Sequence, residues 1–188
     1  MKEIHRKKLT HYFNILDHNK NGELQEDDFI GVGENVCLNL GIPLTGPEYK
    51  YFVEKSKEMF AYLLKDLDKD GDNSISLEEW LYYFDRYILT EKNVELLKRY
   101  IALTVRHVFE LYDVNKDGLI TVDEFVDMFT IYGISVKYSA KSFTKLDKNN
   151  DGVISKQELV LAVKDYFVSS NPEAPGNWIF GNYEENVD

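Results

Sequence analysis

The chain contains 188 residues, which is enough for one large domain or for two small lobes that share a core. With 44% hydrophobic and 14% aromatic residues it has the material for an extensive core, so the net charge of −11 does not indicate disorder. The acidic balance, without a broad basic surface, argues against nucleic acid as a partner.

A 12-residue stretch, Asp113–Glu124, carries the most informative pattern. Oxygen-bearing side chains stand at positions 1, 3, 5, 9 and 12, with a glycine at position 6 and an isoleucine at position 8. Ca²⁺ prefers roughly six to eight oxygen ligands, so a chain that binds it must wrap around the ion, turn sharply and close with a bidentate carboxylate. The stretch therefore matches the calcium-binding loop of an EF-hand.

The same pattern occurs in four places, which a chance cluster of turn-forming residues does not explain. Asp147–Glu158 repeats it in full, and Asp17–Asp28 departs from it only by closing with an aspartate. The remaining copy, loop two, needs a choice of register. A start at Asp68 puts Ile75 at the apolar position 8, whereas a start two residues earlier puts Asn73 there. We therefore start loop two at Asp68, with Asn73 at the sharp turn, because asparagine tolerates a positive φ.

Each loop would hold its ion through the side chains at positions 1, 3, 5 and 12 and through the backbone carbonyl at position 7. The expected ligands are Asp17, Asn19, Asn21, Glu23 and Asp28 in loop one; Asp68, Asp70, Asp72, Ser74 and Glu79 in loop two; Asp113, Asn115, Asp117, Leu119 and Glu124 in loop three; and Asp147, Asn149, Asp151, Val153 and Glu158 in loop four. Twelve of the 33 acidic residues stand at the side-chain positions, so we interpret the acid excess as a set of sites for up to four Ca²⁺ ions.

Two loops differ from the others in charge and reach. Loop two has four acidic ligands, so it should attract Ca²⁺ strongly and suffer the most repulsion without an ion. Loop one closes with Asp28, whose short side chain reaches an ion less easily with both oxygens. We expect weaker Ca²⁺ binding in loop one, or better tolerance of six-coordinate Mg²⁺.

The residues at position 8 are apolar in every loop, namely Leu24, Ile75, Ile120 and Ile154. This regularity predicts two short antiparallel ladders, one joining loops one and two and the other joining loops three and four. The four apolar side chains should then point into the core.

Apolar residues at helical spacing precede and follow every loop, and Gly41–Pro47 interrupts the pattern between the first two loops. We predict eight helices in four pairs, with Thr90 capping a helix that opens at Glu91 and Gly133 ending another. The predicted fold is all-α, with four EF-hand helix-loop-helix units in two paired lobes packed into one compact globule. Residues 1–90 should form the N-terminal pair of hands, 91–168 the C-terminal pair, and 169–188 a tail.

The tail combines helix breakers with large apolar residues. Pro172 and Gly176 interrupt any helix, and Trp178, Ile179 and Phe180 follow them. Large apolar side chains must be buried or they promote aggregation. We expect the tail to fold back and fill a groove between helices; the alternative is that it leaves the groove in response to Ca²⁺.

Several single residues carry weaker signals. Cys37 falls on the apolar side of a predicted helix, so we expect a buried, inert thiol in preference to a redox switch. The basic stretch 6–8 is short, so we expect a solvated helix face in preference to a lipid-binding patch. Gly31 and Gly33 should weaken the helix that leaves loop one. His18, at position 2 of its loop, should face solvent.

The sequence also bears on location. A single cysteine permits no intramolecular disulfide, and the first residues lack the apolar core of a signal peptide. Lys2 excludes N-myristoylation, and no apolar run is long enough to span a bilayer. We expect a cytoplasmic monomer without stable membrane insertion.

The four EF-hands, the long helix entering loop two and the tail sequence Asn171–Gly181 resemble the sarcoplasmic calcium-binding proteins and the related calexcitins. The likeness covers essentially the whole chain, and the tail separates this family from calmodulin-like proteins. The resemblance implies a compact all-helical protein whose hydrophobic faces meet inside, with a cytosolic role in binding Ca²⁺ and Mg²⁺.

Three functions compete at this point. A buffer captures ions without offering a partner surface; a calexcitin-like sensor changes shape to signal to a protein target, as when a Met-rich groove opens. With only 3 methionines, the composition favours the buffer. Calcium-regulated photoproteins and luciferin-binding proteins share the four-hand layout and hold an aromatic ligand, so the 13 tyrosines with Trp80, Trp178 and His107 leave a ligand carrier open.

Enzymatic activity has little support. The sequence contains no Gly-rich phosphate-binding loop, no His and Cys cluster for zinc and no nucleophile elbow. We therefore expect a protein that is not an enzyme.

Overall fold

The computed structural model describes residues 1–90 and 93–184. Within these ranges the helices are α1 (Glu3–Leu16), α2 (Glu26–Asn39), α3 (Gly46–Leu67), α4 (Leu77–Tyr83), α5 (Val94–Tyr112), α6 (Val122–Ile131), α7 (Ser139–Leu146) and α8 (Lys156–Val168). Four short strands lie in the loops: β1 (Glu23–Leu24), β2 (Ile75–Ser76), β3 (Leu119–Thr121) and β4 (Val153–Ser155). The predicted all-α fold with helices flanking every loop is confirmed. Among the described helices, none combines the length and the hydropathy needed to cross a membrane.

The strands pair as the position-8 pattern predicted. β1 and β2 are antiparallel with Leu24 opposite Ile75, and β3 and β4 are antiparallel with Ile120 opposite Ile154. All four of these side chains are buried. Each ladder therefore joins two neighbouring hands and anchors their loops to the core.

One aromatic core connects the two predicted lobes. The Trp80 ring on α4 lies 5.8 Å between centroids from Tyr12 on α1 and 6.4 Å from Tyr100 on α5. Phe84, in a π-helical segment that continues α4, stacks on Phe167 of α8 at 5.4 Å. Because residues from both halves of the chain share this core, burial at one lobe depends on the other.

Helix α2 packs closely on α3, and Gly33 is the reason that it can. A Cβ atom at this position would lie 2.8 Å from the Cα of Val53 and 3.0 Å from the carbonyl oxygen of Phe52. The glycine that was expected only to weaken α2 therefore has a packing role, since its missing side chain lets two backbones approach.

The tail folds back, as expected. Ile179 and Phe180 are buried, and the Phe180 ring stacks on Tyr12 with centroids 4.3 Å apart. A 3₁₀ turn, Pro175–Trp178, precedes them and packs on α7 and α8. Trp178 is half-buried, with the Lys141 amine 3.7 Å from its ring centroid.

Two predictions were wrong. Arg6 and Lys7 are exposed, but Lys8 is only 1% exposed, because its amine reaches the backbone carbonyls at the end of α8. Helix α5 begins at Val94 with Asn93 at its N-cap, so Thr90 is not the cap, and the predicted opening at Glu91 lies outside the described residues.

Three smaller predictions are confirmed. Cys37 is buried and His18 is exposed. Gly133 ends α6 with φ of 65°, and the N–H of Ile134 donates to the Phe129 carbonyl at 2.8 Å, the hydrogen bond of a Schellman motif.

Candidate metal centres

All four loops turn at the same two positions. Positive φ angles occur at positions 4 and 6 of each loop, in the pairs Lys20 and Gly22, Gly71 and Asn73, Lys116 and Gly118, and Asn150 and Gly152. Asn73, with φ of 67°, takes the place that glycine has in the other loops. The register of loop two is therefore the predicted one.

The aspartate at position 1 organises each turn. In loop three, Asp113 accepts hydrogen bonds from the N–H groups of Asp117 at 3.1 Å and Gly118 at 3.0 Å. Asp17 and Asp147 make the same pair of contacts in loops one and four, and Asp68 accepts from positions 4 and 6. The turn's backbone N–H groups thereby hold the carboxylate inside the loop.

The residue at position 12 both closes the loop and begins the next helix. Glu124 Oε1 accepts from the N–H of Val114 at 3.0 Å, and its Oε2 accepts from the N–H of Thr121 at 2.9 Å. The Thr121 hydroxyl accepts in turn from the Glu124 N–H, which completes a capping box for α6. The pairs Ser76–Glu79 and Ser155–Glu158 repeat this box at α4 and α8.

Positions 3 and 5 meet in loops three and four. The Asn115 oxygen accepts from the N–H of Asp117 at 2.9 Å, and its amide nitrogen donates to the Asp117 carboxylate at 2.9 Å. Asn149 and Asp151 make the same two contacts. The side-chain oxygens expected as ligands therefore lie together in each of these loops.

Loop two holds the densest carboxylate cluster. One oxygen each from Asp68, Asp70 and Glu79 lies within 4.8 Å of the others. Desolvation raises the pKa of Glu79, but hydrogen bonds from the N–H groups of Lys69 and Ser76 and from the Ser76 hydroxyl lower it, and the net pKa is below its ordinary value. Glu79 is thus held as a carboxylate next to two others, an arrangement that a cation stabilises.

The pKa of Glu158 shifts in the same direction. Desolvation raises it, and hydrogen bonds from the Ser155 hydroxyl, from the Ser155 N–H and from the N–H groups of Lys148 and Asn149 outweigh that effect. Loop four is therefore also closed by an ionised glutamate.

Loop one closes differently. Asp28 is 1% exposed; its Oδ1 accepts from the N–H of Asn19 at position 3, and its Oδ2 accepts from Gln25 at 2.8 Å. In the other loops the closing glutamate reaches the N–H at position 2. The shorter side chain of Asp28 thus accepts from position 3 in place of position 2.

The predictions from sequence missed two structural roles of residues in the loops. Ser76, Thr121 and Ser155 cap the exit helices, and the Ser/Thr-x-x-Glu spacing could have revealed this. The Glu23 carboxylate accepts a hydrogen bond from the Ser74 hydroxyl across the first ladder at 2.9 Å. No local pattern predicts that contact, because it joins two different loops.

The donor set fits Ca²⁺. The ligand positions offer carboxylate, amide and carbonyl oxygens and neither sulfur nor imidazole, which is the chemistry of a hard cation. Two oxygens bound to one Ca²⁺ ion lie at most about 5 Å apart. The 4.8 Å spread of the loop-two carboxylates falls within that limit.

Comparisons with known proteins agree with this geometry. A family model described as an EF-hand domain pair matches residues 57–130 and 103–164, which together cover more than half of the chain. Calerythrin from Saccharopolyspora erythraea is 27% identical over 159 residues, covering 85% of this chain and 89% of calerythrin.

Solved structures share the fold. A sarcoplasmic calcium-binding protein from amphioxus has a TM-score of 0.75 at 20% identity, covering 96% of this chain and 98% of that protein. The coelenterazine-binding protein from Renilla muelleri has a TM-score of 0.69 at 20% identity, covering 96% of this chain and 99% of that protein. The chain therefore belongs to the EF-hand family and is a calcium-binding protein with the fold of the sarcoplasmic calcium-binding proteins.

Proposed function

We propose that this protein is a Ca²⁺/Mg²⁺ buffer of the sarcoplasmic type. The observation that carries the proposal is the filled interior: both halves of the chain share one aromatic core, and the tail packs Ile179 and Phe180 into it. A sensor needs an apolar groove that a target can enter, whereas a buffer needs only its loops.

The methionines support the same choice. Met59 and Met128 are 2% and 1% exposed, so neither is available on a surface where a flexible thioether would adapt to a target helix. The third methionine is the N-terminal residue. Two of the three methionines, the side chains that make sensor grooves adaptable, are therefore in the core.

The proposal assigns the ions to the twenty loop residues named in the sequence analysis. Loops two, three and four take Ca²⁺ with a closing glutamate, and loop one, closed by Asp28, is the weak or Mg²⁺-tolerant site. We further propose a cytoplasmic monomer without enzymatic activity, in which residues 1–90 and 91–168 are the two pairs of hands.

A calorimetric Ca²⁺ titration of the metal-free protein, with and without millimolar Mg²⁺, tests the proposal. A buffer predicts three or four tight sites whose Ca²⁺ affinity Mg²⁺ clearly weakens, because Mg²⁺ would occupy them at rest. Sites with micromolar Ca²⁺ affinity that Mg²⁺ does not change would instead fill only during a Ca²⁺ pulse. That result would favour a sensor with a protein target.

A second candidate is a carrier for a small aromatic ligand. A surface cleft of about 450 Å³ is lined by His11, Tyr132 and Tyr138. Outside this cleft, the buried polar atoms Tyr100 Oη and His107 Nε2 have no hydrogen-bond partner among the described residues. The Renilla structure named as a coelenterazine-binding protein shares the fold. For protein purified from its source, an absorption band at longer wavelength than the bands of tyrosine and tryptophan would support the carrier. A colourless protein that does not absorb at those longer wavelengths would contradict it.

A further inference from the structure

The hydroxyl of Ser74 lies between two carboxylates that belong to different loops. Its oxygen is 2.9 Å from Glu23 Oε2 across the first ladder and 2.9 Å from Asp72 Oδ1 within loop two. Ser74 is buried, whereas Glu23 is half-buried and Asp72 is exposed, so water is kept from the hydroxyl but not from the Asp72 carboxylate. Glu23 and Ser74 are the position-7 residues of loops one and two, whose carbonyls are expected ligands.

A serine hydroxyl has one proton and can donate it to one acceptor at a time. The two carboxylates therefore compete for it, and the backbone N–H of Ser74 also donates to the same oxygen of Asp72 at 2.8 Å. Once Asp72 serves as a position-5 ligand, its oxygen is a poorer acceptor, and the hydroxyl proton goes to Glu23.

We propose that Glu23, Ser74 and Asp72 form a relay by which occupation of loop two raises the Ca²⁺ affinity of loop one. The hydrogen bond from Ser74 orders residue 23 before loop one binds, so loop one loses less conformational freedom when it fills. Because binding free energies are reciprocal, loop one raises the affinity of loop two by the same factor. This inference rests on the proposed ion binding and adds its regulation in the N-terminal pair.

The C-terminal pair provides an internal comparison. Its position-7 residues are Leu119 and Val153, whose side chains cannot form hydrogen bonds. The backbone ladder is present in both pairs. Any coupling transmitted by the ladder alone is therefore common to both, and only the N-terminal pair has the additional side-chain link.

The experiment is a Ca²⁺ titration of the full-length protein followed by amide NMR. The resonances of Gly22 and Asn73, at position 6 of loops one and two, report each loop separately. For each protein, the coupling factor is its loop-one affinity divided by the loop-one affinity of the same protein with Glu79→Gln added, which disables loop two. We expect a factor of roughly five or more in the wild type.

The relay is tested by Ser74→Ala and by Glu23→Leu. The second change places a leucine at position 7 of loop one, as in loop three. Each change should reduce the coupling factor by roughly threefold or more, and the double variant should lose little more because both residues act in one relay. Glu26→Gln, which removes an exposed charge at position 10 of loop one that is not an expected ligand and is paired with Lys57, should retain the wild-type factor. The C-terminal resonances of Gly118 and Gly152 should titrate as in the wild type, which verifies folding.

Several results would overturn the relay. An unchanged coupling factor in both relay variants, or no coupling in a wild type whose two loops both fill, refutes it while leaving ion binding intact. An equal loss in Glu26→Gln would assign the effect to net charge. If Gly22 and Asn73 do not respond to Ca²⁺ at all, the ligand assignment in the N-terminal pair fails, and the relay fails with it.

Discussion

The buried amine of Lys8 donates a hydrogen bond of 3.0 Å to the side-chain oxygen of Asn177 in the tail. It also donates to the carbonyls of Asp165 and Ser169 at the end of α8, at 3.3 and 2.8 Å. One cation from the first helix therefore satisfies the last turn of α8 and fixes the tail. Tyr166 strengthens the same junction, since its hydroxyl donates to the Lys8 carbonyl at 2.6 Å.

Lys8→Met should destabilise the protein, because it removes the amine that donates to the Ser169 carbonyl and to Asn177 Oδ1 while it retains the apolar stem. We expect a loss of about 1–3 kcal/mol in the free energy of unfolding, measured by urea denaturation of the metal-free protein. Lys7→Met, at the exposed neighbouring position, should change it by less than about 0.5 kcal/mol. Equal effects of the two changes would contradict a structural role for the Lys8 amine.

Lys8 should also contribute to the pH dependence of the free energy of unfolding. Desolvation lowers its pKa from 10.5 to about 8, although Asp165 opposes the shift. Between these values the unfolded chain binds more protons than the folded one, so this lysine makes the free energy of unfolding rise with pH. The stability difference between the wild type and Lys8→Met should therefore grow from about pH 8 to about pH 10. A difference that stays constant would show that Lys8 is not desolvated.

Gly33 and Gly31 form a matched pair on α2. Gly33→Ala should cost about 1–3 kcal/mol, because the added Cβ meets the rigid backbone of α3. At Gly31 the new Cβ would meet only the ring of exposed His18, which is free to rotate, so Gly31→Ala should leave stability unchanged or raise it by up to about 1 kcal/mol. Thermal unfolding of both variants measures the contrast, and a stabilising Gly33→Ala would refute the close helix approach.

His107 should make the protein sensitive to mild acid. Burial, with a smaller effect of Arg106, lowers its pKa from 6.5 to about 4. The unfolded chain therefore binds a proton first as the pH falls from 6.5 towards 4, and the shift corresponds to a stability loss on the order of 3 kcal/mol. His107→Leu should remove this part of the pH dependence, which chemical denaturation at several pH values can follow. An unchanged slope in the variant would contradict a buried neutral imidazole.

Asp28→Glu tests the closing residue of loop one. The longer side chain should reach the ion with both oxygens and raise the Ca²⁺ affinity of this loop by roughly tenfold, with a smaller gain for Mg²⁺. The Gly22 amide resonance reports the change, and Gly118 in loop three serves as the unaffected reference. No shift in the titration midpoint of Gly22 would show that the length of the side chain at position 12 does not limit the Ca²⁺ affinity of loop one.

Much of the candidate site was predictable because ligand spacing is a local property. Asp68 was chosen as the start of loop two because this register puts Ile75 at the apolar position 8 and Glu79 at the closing position, and the pairing of Ile75 with Leu24 agrees. Gly133 was predicted to end a helix from its residue type, and it does. The start of α5 was misplaced because Thr90 and Asn93 are both plausible caps and only the backbone geometry distinguishes them.

By itself, the sequence determined the four loops, their register, the turn at position 6 and the all-α class, because oxygen spacing and helical periodicity act within a few residues. Only the tertiary structure decided that Lys8 is buried, that Gly33 touches α3, that Phe180 stacks on Tyr12 and that Ser74 reaches Glu23. Each of these contacts joins segments far apart in the chain, and an amphipathic pattern is compatible with several packings. The choice among them depends on shape and on which buried polar groups find partners.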